Sequence, residues 1–155
     1  MTTIRHAEFP RDAAAVLDIW REFVASPTVS LDYQSNETEF ANIPGKYAQP
    51  SGRIMVAEQD GQLVGCGAFR KVTSEICEMK KLYVRPVARG LSLGYQLTSI
   101  LIEEARLAGY AEMRLDVLAE FVKAREIYAA LGFEAAEPIS YNPTAGASFL
   151  GLKLR

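Results

Sequence analysis

Histidine and cysteine are scarce in this chain of 155 residues, which has one of the first, His6, and two of the second, Cys66 and Cys77. The shortage removes several chemistries. His6 lies in a segment that reads as the first strand, with no nucleophile candidate nearby, which excludes a Ser-His or Cys-His mechanism and leaves a core or edge histidine. Both thiols fall in segments that read as strands, so they make neither a disulfide framework nor a zinc site and read as small core residues; no metal is expected. Neither sign of charge dominates: 17 basic against 19 acidic residues give a net charge of −2, which argues against a general polyanion binder such as a DNA-coating protein. No apolar run is long enough to span a bilayer. The opening Thr2-Thr3-Ile4-Arg5-His6 lacks the basic start and apolar stretch of an export signal. A cytoplasmic protein is expected, with no nucleic-acid or membrane partner.

What is present is ordinary globular material, 49% apolar and 23% charged, in a chain long enough to bury roughly 68–70% of its unfolded surface. No repeat or composition break interrupts it, so a single domain over residues 1–155 is expected. A short strand is predicted around Thr3 to Ala7. Asp12 then caps a helix with Val16, Leu17, Trp20, Phe23 and Val24 on its apolar face. Residues 32–43 read as a weaker helix anchored by Tyr33, Phe40 and Ile43, with Asp32, Glu37 and Glu39 exposed. Strands at 53–58 and 62–70 are joined by a tight turn at Asp60-Gly61. A third strand spans Ile76 to Val84. In it Leu82 and Val84 alternate, but the next apolar residue back is Met79, and this slip predicts a bulge near Lys80 or Lys81. A helix from Gly94 to Ala108, a strand at Met113, Leu115 and Val117, a helix from Val122 to Leu131 and a strand at Leu150, Leu152 and Leu154 complete the series. The order implies an α/β (α+β) fold, a mixed sheet of about six or seven strands with parallel middle strands and about four helices.

The run from Val84 to Gly94 lies between a strand and a helix, where unpaired backbone N–H groups and the helix dipole bind phosphate. Small residues at Gly90, Ser92 and Gly94 permit close approach. Lys80, Lys81, Arg85 and Arg89 form a basic patch with no acidic residue until Glu103. From these facts alone, a helix start with incidental glycines and surface arginines is an equal reading. A P-loop is excluded because no Lys-Ser or Lys-Thr follows Gly94, and no G-x-G-x-x-G follows a strand.

The stretch Val84-Arg85-Pro86-Val87-Ala88-Arg89-Gly90-Leu91-Ser92-Leu93-Gly94 resembles the acetyl-CoA signature of the GNAT superfamily of N-acetyltransferases, with Ser92 in place of the middle glycine. Ala124 to Phe133, Ala-Arg-Glu-Ile-Tyr-Ala-Ala-Leu-Gly-Phe, is similar to the family's late helix with its tyrosine and terminal Gly-Phe; Phe121 stands where the family often has asparagine. The resemblance implies a splayed strand pair at the cofactor site, a pantetheine arm bonded to the strand at Leu82, Tyr83 and Val84, and a pyrophosphate held by Arg89, Gly90, Leu91, Ser92, Leu93, Gly94 and Tyr95. It also implies that Tyr128 protonates the departing thiolate, since a phenol near pKa ~10 is protonated at neutral pH. Glu78 stands where some members carry a glutamate base, the alternative being a salt-bridged carboxylate. With Asp32, Glu37 and Glu39 it is compatible with a cationic acceptor, although a solvated helix face is the stronger account of those three.

The activity so implied is direct transfer of an acetyl group from acetyl-CoA to a primary amine of a small molecule. A non-catalytic acyl-CoA-binding module and a protein N-terminal or lysine acetyltransferase are the alternatives. Relatives often dimerise, which leaves a homodimer open.

Overall fold

The structure, a computed structural model, describes residues 2–31, 36–90 and 92–155. The apolar alternation of the sequence becomes one sheet of seven strands among the described residues. In chain order these are β1 (Thr2–His6), β2 (Arg53–Gln59), β3 (Gln62–Lys71), β4 (Ile76–Val84), β5 (Glu112–Val117), β6 (Glu134–Ala135) and β7 (Ser148–Lys153). They lie in the order β1-β2-β3-β4-β5-β7-β6. The helices are α1 (Ala13–Ala25), α2 (Asn36–Ala41), α3 (Leu93–Leu107) and α4 (Val122–Ala130). At the β2–β3 turn Asp60 and Gly61 both take positive φ, 51° and 81°, the geometry that matches the twist of the flanking strands.

Parallel pairing is narrower than the sequence implied. Only β4 and β5 run parallel, and only over three pairs, Ile76 with Glu112 to Glu78 with Arg114; every other neighbour is antiparallel. Short turns reverse the chain between β2, β3 and β4, the long connections through α1 and α2 and through α4 also return it antiparallel, and only the crossover through α3 brings it back in the same direction. Beyond Glu78 the two strands diverge, although β4 runs on to Val84 and β5 to Val117.

Two apolar layers cover the sheet. Leu97, Leu101 and Ala105 of α3 pack with Met79, Met113, Leu115 and Tyr128 on one face, while Val16, Ile19 and Trp20 of α1 pack with Val56, Cys66 and Ala68 on the other. The stripe of α1 is therefore centred on Ile19 rather than Leu17. Both cysteines are buried and free, and burial pushes each thiol up to about 12. Asp12 does stand at the start of α1 but makes no side-chain cap. Its carboxylate instead accepts from the guanidinium of Arg5, 2.7 Å, and from the backbone N–H of Glu8, because a cation on the adjoining strand competes with the helix end.

Of the weaker helix expected over 32–43, Asn36–Ala41 is helical among the described residues and stops short of Ile43; Asp32 and Tyr33 lie outside them. Glu37 is exposed, but Glu39 is buried, which corrects the expectation. Its carboxylate lies 2.6 Å from the Lys81 ammonium, 2.9 Å from that of Lys46, and accepts the Tyr47 hydroxyl at 2.7 Å. Lys81 is itself fully enclosed, 5.5 Å from the Trp20 ring centre. Burial on its own would raise the Glu39 carboxyl, but the Lys81 charge and three hydrogen-bonding partners outweigh it and hold the group down to about 2. Removing one partner of such a pair strands the other charge. Glu39→Ala is expected to cost about 3–5 kcal/mol in urea unfolding. Because the folded value lies below the ordinary 4.5, this stabilisation is complete above pH 4.5 and is lost as the pH falls toward 2. Unfolding midpoints of the wild type measured over that window should drop, and Glu39→Gln should flatten the drop.

Candidate active site

The predicted bulge is present and centred on Lys81. Cys66 pairs with Tyr83 and Ala68 with Lys80, so Gly67 alone faces both Lys81 and Leu82. Lys81 takes φ 64°, a left-handed backbone that costs a residue with a Cβ roughly 1–2 kcal/mol. A side chain at Gly67 would come within 2.6 Å of Leu101 on α3, so the helix sits hard against the kinked strand.

Two spaces adjoin the divergence of β4 from β5, sharing Phe23, Leu82, Phe121 and Ala124 in their walls. One is a groove of about 750 Å³ between the end of β4, the turn into α3 and the start of α4. Leu82, Tyr83 and Val84 line one wall, and Arg89, Gly90, Ser92, Leu93, Gly94 and Tyr95 line the turn side. Every predicted cofactor contact is thus gathered on one groove except Leu91, which lies outside the described residues. Gly90 and Ser92 both have positive φ, 88° and 59°, folding the turn back so that α3 begins in the groove. Ser92 makes no side-chain cap, and the first N–H groups of α3 are left for a ligand. Gly94 marks a close approach, since a Cβ there would meet the tip of Ile127 of α4 at 3.0 Å.

The basic patch does not survive folding. Lys81 is spent on Glu39, and Arg85 pairs with Glu22 at 2.9 Å and donates to the Leu63 carbonyl. Of the four predicted cations only Arg89 lines the groove. Its Nε donates to the Val84 carbonyl at 2.9 Å, and its guanidinium lies 5.5 Å from the centre of the Tyr83 ring. Lys123, at the start of α4, is a second cation there that no motif had marked.

The other space is a cavity of about 50 Å³ within the splay, lined by Lys80 and Leu82 of β4, Asp116 of β5, Tyr128 of α4 and Asn142 among others. Tyr128 is buried, its ring 5.5 Å from that of Phe133. Burial, with the Asp116 charge adding to it, raises the phenol well above its ordinary value. Glu78 is fully buried on β4; Arg70 pairs with its Oε1 at 2.8 Å and the Ser140 hydroxyl donates to Oε2 at 2.9 Å. Asp116, 2.7 Å from the Asn142 amide, escaped the sequence reading. Alternation on β5 gave the signal, since a charge between inward-facing Leu115 and Val117 must face the opposite side of the sheet. Beside the groove, which Glu120 lines, Thr28 donates its N–H and hydroxyl to that carboxylate, at 3.0 and 2.8 Å, drawing the segment after α1 to the loop before α4.

This chain belongs to the Acetyltransferase (GNAT) family, whose pattern matches residues 15–133, and it is an acyltransferase enzyme. It is 32% identical over 154 residues to an uncharacterised N-acetyltransferase of Schizosaccharomyces pombe, covering 98% of this chain and 94% of that one. It is 30% identical to the uncharacterised N-acetyltransferase YjgM of Escherichia coli over 80% of this chain and 77% of that one. Its fold matches yncA of Salmonella typhimurium, solved with its cofactor acetyl-CoA, at TM-score 0.72 and 24% identity over 99% and 94% of the two chains. It also matches the PaiA N-acetyltransferase of Thermoplasma acidophilum, solved with coenzyme A, at TM-score 0.76 and 17% identity over 99% of each chain. Among the described residues no helix is long and apolar enough to cross a membrane.

The left-handed backbone at Ser92 makes a prediction independent of substrate. Ser92→Gly should keep the fold, with urea stability within about 1 kcal/mol of wild type, because relief of strain offsets the added freedom of the unfolded chain. Ser92→Val, β-branched at the same φ, should lose about 1–2 kcal/mol and weaken coenzyme A binding in a calorimetric titration.

Proposed function

We propose that this enzyme transfers an acetyl group from acetyl-CoA to a primary amine of a small molecule, by direct attack while both substrates are bound. The observation that carries the reading is the splay itself, where the groove with the Arg89–Gly94 turn meets the cavity holding Tyr128. Acetyl-CoA fits the donor set. Arg89, Lys123 and the free N–H groups of α3 offer the charge and hydrogen bonds that a pyrophosphate needs. The stretch of β4 from Leu82 to Val84, unpaired on its β5 side, offers backbone groups to an extended pantetheine arm. The thioester that acetyl-CoA supplies is already activated toward an amine, so the protein has to align the partners and manage charge and protons.

Tyr128 serves as the donor to the departing thiolate. A phenol so firmly protonated is a reluctant source of a whole proton for a thiolate whose conjugate acid lies near ~8.5. Its main contribution is hydrogen bonding as charge builds on sulfur. Glu78 lines neither space, so its assigned role as acceptor of the attacking amine's proton needs a relay through the Ser140 hydroxyl, which already donates to its Oε2; its Oε1 is committed to Arg70.

With a working amine, Tyr128→Phe is expected to lower kcat about 10²-fold with little change in the KM for acetyl-CoA. Glu78→Gln should lower kcat and shift the pH profile of kcat, in protein whose melting confirms the fold. Thiol release unchanged in both variants would remove these roles. Incubation of the enzyme with radiolabelled acetyl-CoA and a cell lysate should put label in the small-molecule fraction; label in protein would mean acylation of a protein N-terminus or lysine instead.

A further inference from the structure

The face of the sheet that carries the cavity is crowded with charge, and nearly all of it is neutralised locally. Arg70 pairs with Glu78, Lys81 with Glu39, and Arg114 with Glu112. Lys80 and Asp116 break this pattern. Lys80 lies opposite Ala68, whose side chain packs in the α1 layer, so its own side chain leaves the sheet on that face. Asp116 alternates with Leu115 and Val117, which pack in the α3 layer, and so emerges on the same face from the other side of the splay. Both line the cavity of about 50 Å³, yet no ion pair joins them, and the Lys80 ammonium has no ion-pair partner among the described residues. One carboxylate oxygen of Asp116 is held by Asn142. Around these two charges Phe23, Leu31 and Phe121 supply apolar wall, and the polar remainder is Asn142, Tyr128 and Lys81, the last already paired with Glu39.

Two opposite charges that line one small space without pairing with each other suit a ligand that carries both charges itself. Accordingly, we propose that the acceptor is a free amino acid or a similar zwitterion, its ammonium directed to Asp116 and its carboxylate to Lys80. This rests on the small-molecule reading above and narrows it. The chemistry distinguishes such an acceptor from a simple polyamine, which would place a second cation beside Lys80, and from a peptide or protein amine, which lacks the adjacent carboxylate. A hydrogen bond to a charged group is worth about 10- to 100-fold in affinity, so a missing carboxylate should be felt at that scale.

The test is a thiol-release panel of the free amino acids, their methyl esters and amides, and diamines, run beside calorimetric titration of the same amino acids into coenzyme A-loaded enzyme. Free amino acids should be preferred over their esters by about 10- to 100-fold in kcat/KM. Lys80→Met, with its melting temperature checked, should collapse that ratio toward one, and Lys80→Glu should turn the preference toward diamines. Equal use of acids and esters, or a ratio unmoved in Lys80→Met, would overturn the proposal, as would absence of amino-acid binding in the titration. Amino-acid binding without thiol release would keep the assignment of the pocket and sink the catalytic reading instead. Turnover confined to diamines would keep transfer to small amines and sink the zwitterion.

Discussion

A lysine ammonium enclosed by protein is among the costliest groups a fold can carry, and here it sits at the point where two strands part. Taking Lys81 out of water is tolerable only with a partner, and Glu39 supplies it from α2, with the Trp20 ring of α1 alongside. The same residue has the left-handed backbone that bends β4 away from β5. One side chain therefore ties the two segments α1 and α2 to the kink that opens the site. The wall on the acceptor side and the strand beside the cofactor groove share a single anchor.

On the other side of the splay the construction relies on backbone rather than charge. Gly90 and Ser92 reverse the chain, Gly94 lets α4 come close, and α3 begins with its N–H groups unspent. Arg89 is held by the Val84 carbonyl and the Tyr83 face, so its position is set before any ligand arrives, which reduces the ordering cost of binding.

Much of this arrangement could be read from the sequence, for definite reasons. The slip between Met79 and Leu82 points to the bulge because a regular strand would otherwise have to lay the Lys81 stem on the apolar face. The Arg89–Gly94 turn and Tyr128 are legible because local backbone needs and a helix-end motif are written in neighbouring residues. Glu39 was misplaced because its burial depends on Lys81, more than forty positions away, and a six-residue helix has too little periodicity to reveal an inward acid. The basic patch dissolved for the same reason: proximity in sequence says nothing about which cation finds Glu22 or Glu39. Alternation on β5 tells which face Asp116 takes, but that this face borders a cavity depends on the neighbouring strand that fails to pair beside it.

Cys66 and Cys77 carry a practical consequence. Both lie inside the apolar layers with their thiols pushed up to about 12, so at neutral pH almost none of either is thiolate, the form that reacts. A colour reagent for sulfhydryls would leave the folded protein untouched and register only coenzyme A. The enzyme can thus be followed continuously by its own leaving group, without blocking or replacing a single residue.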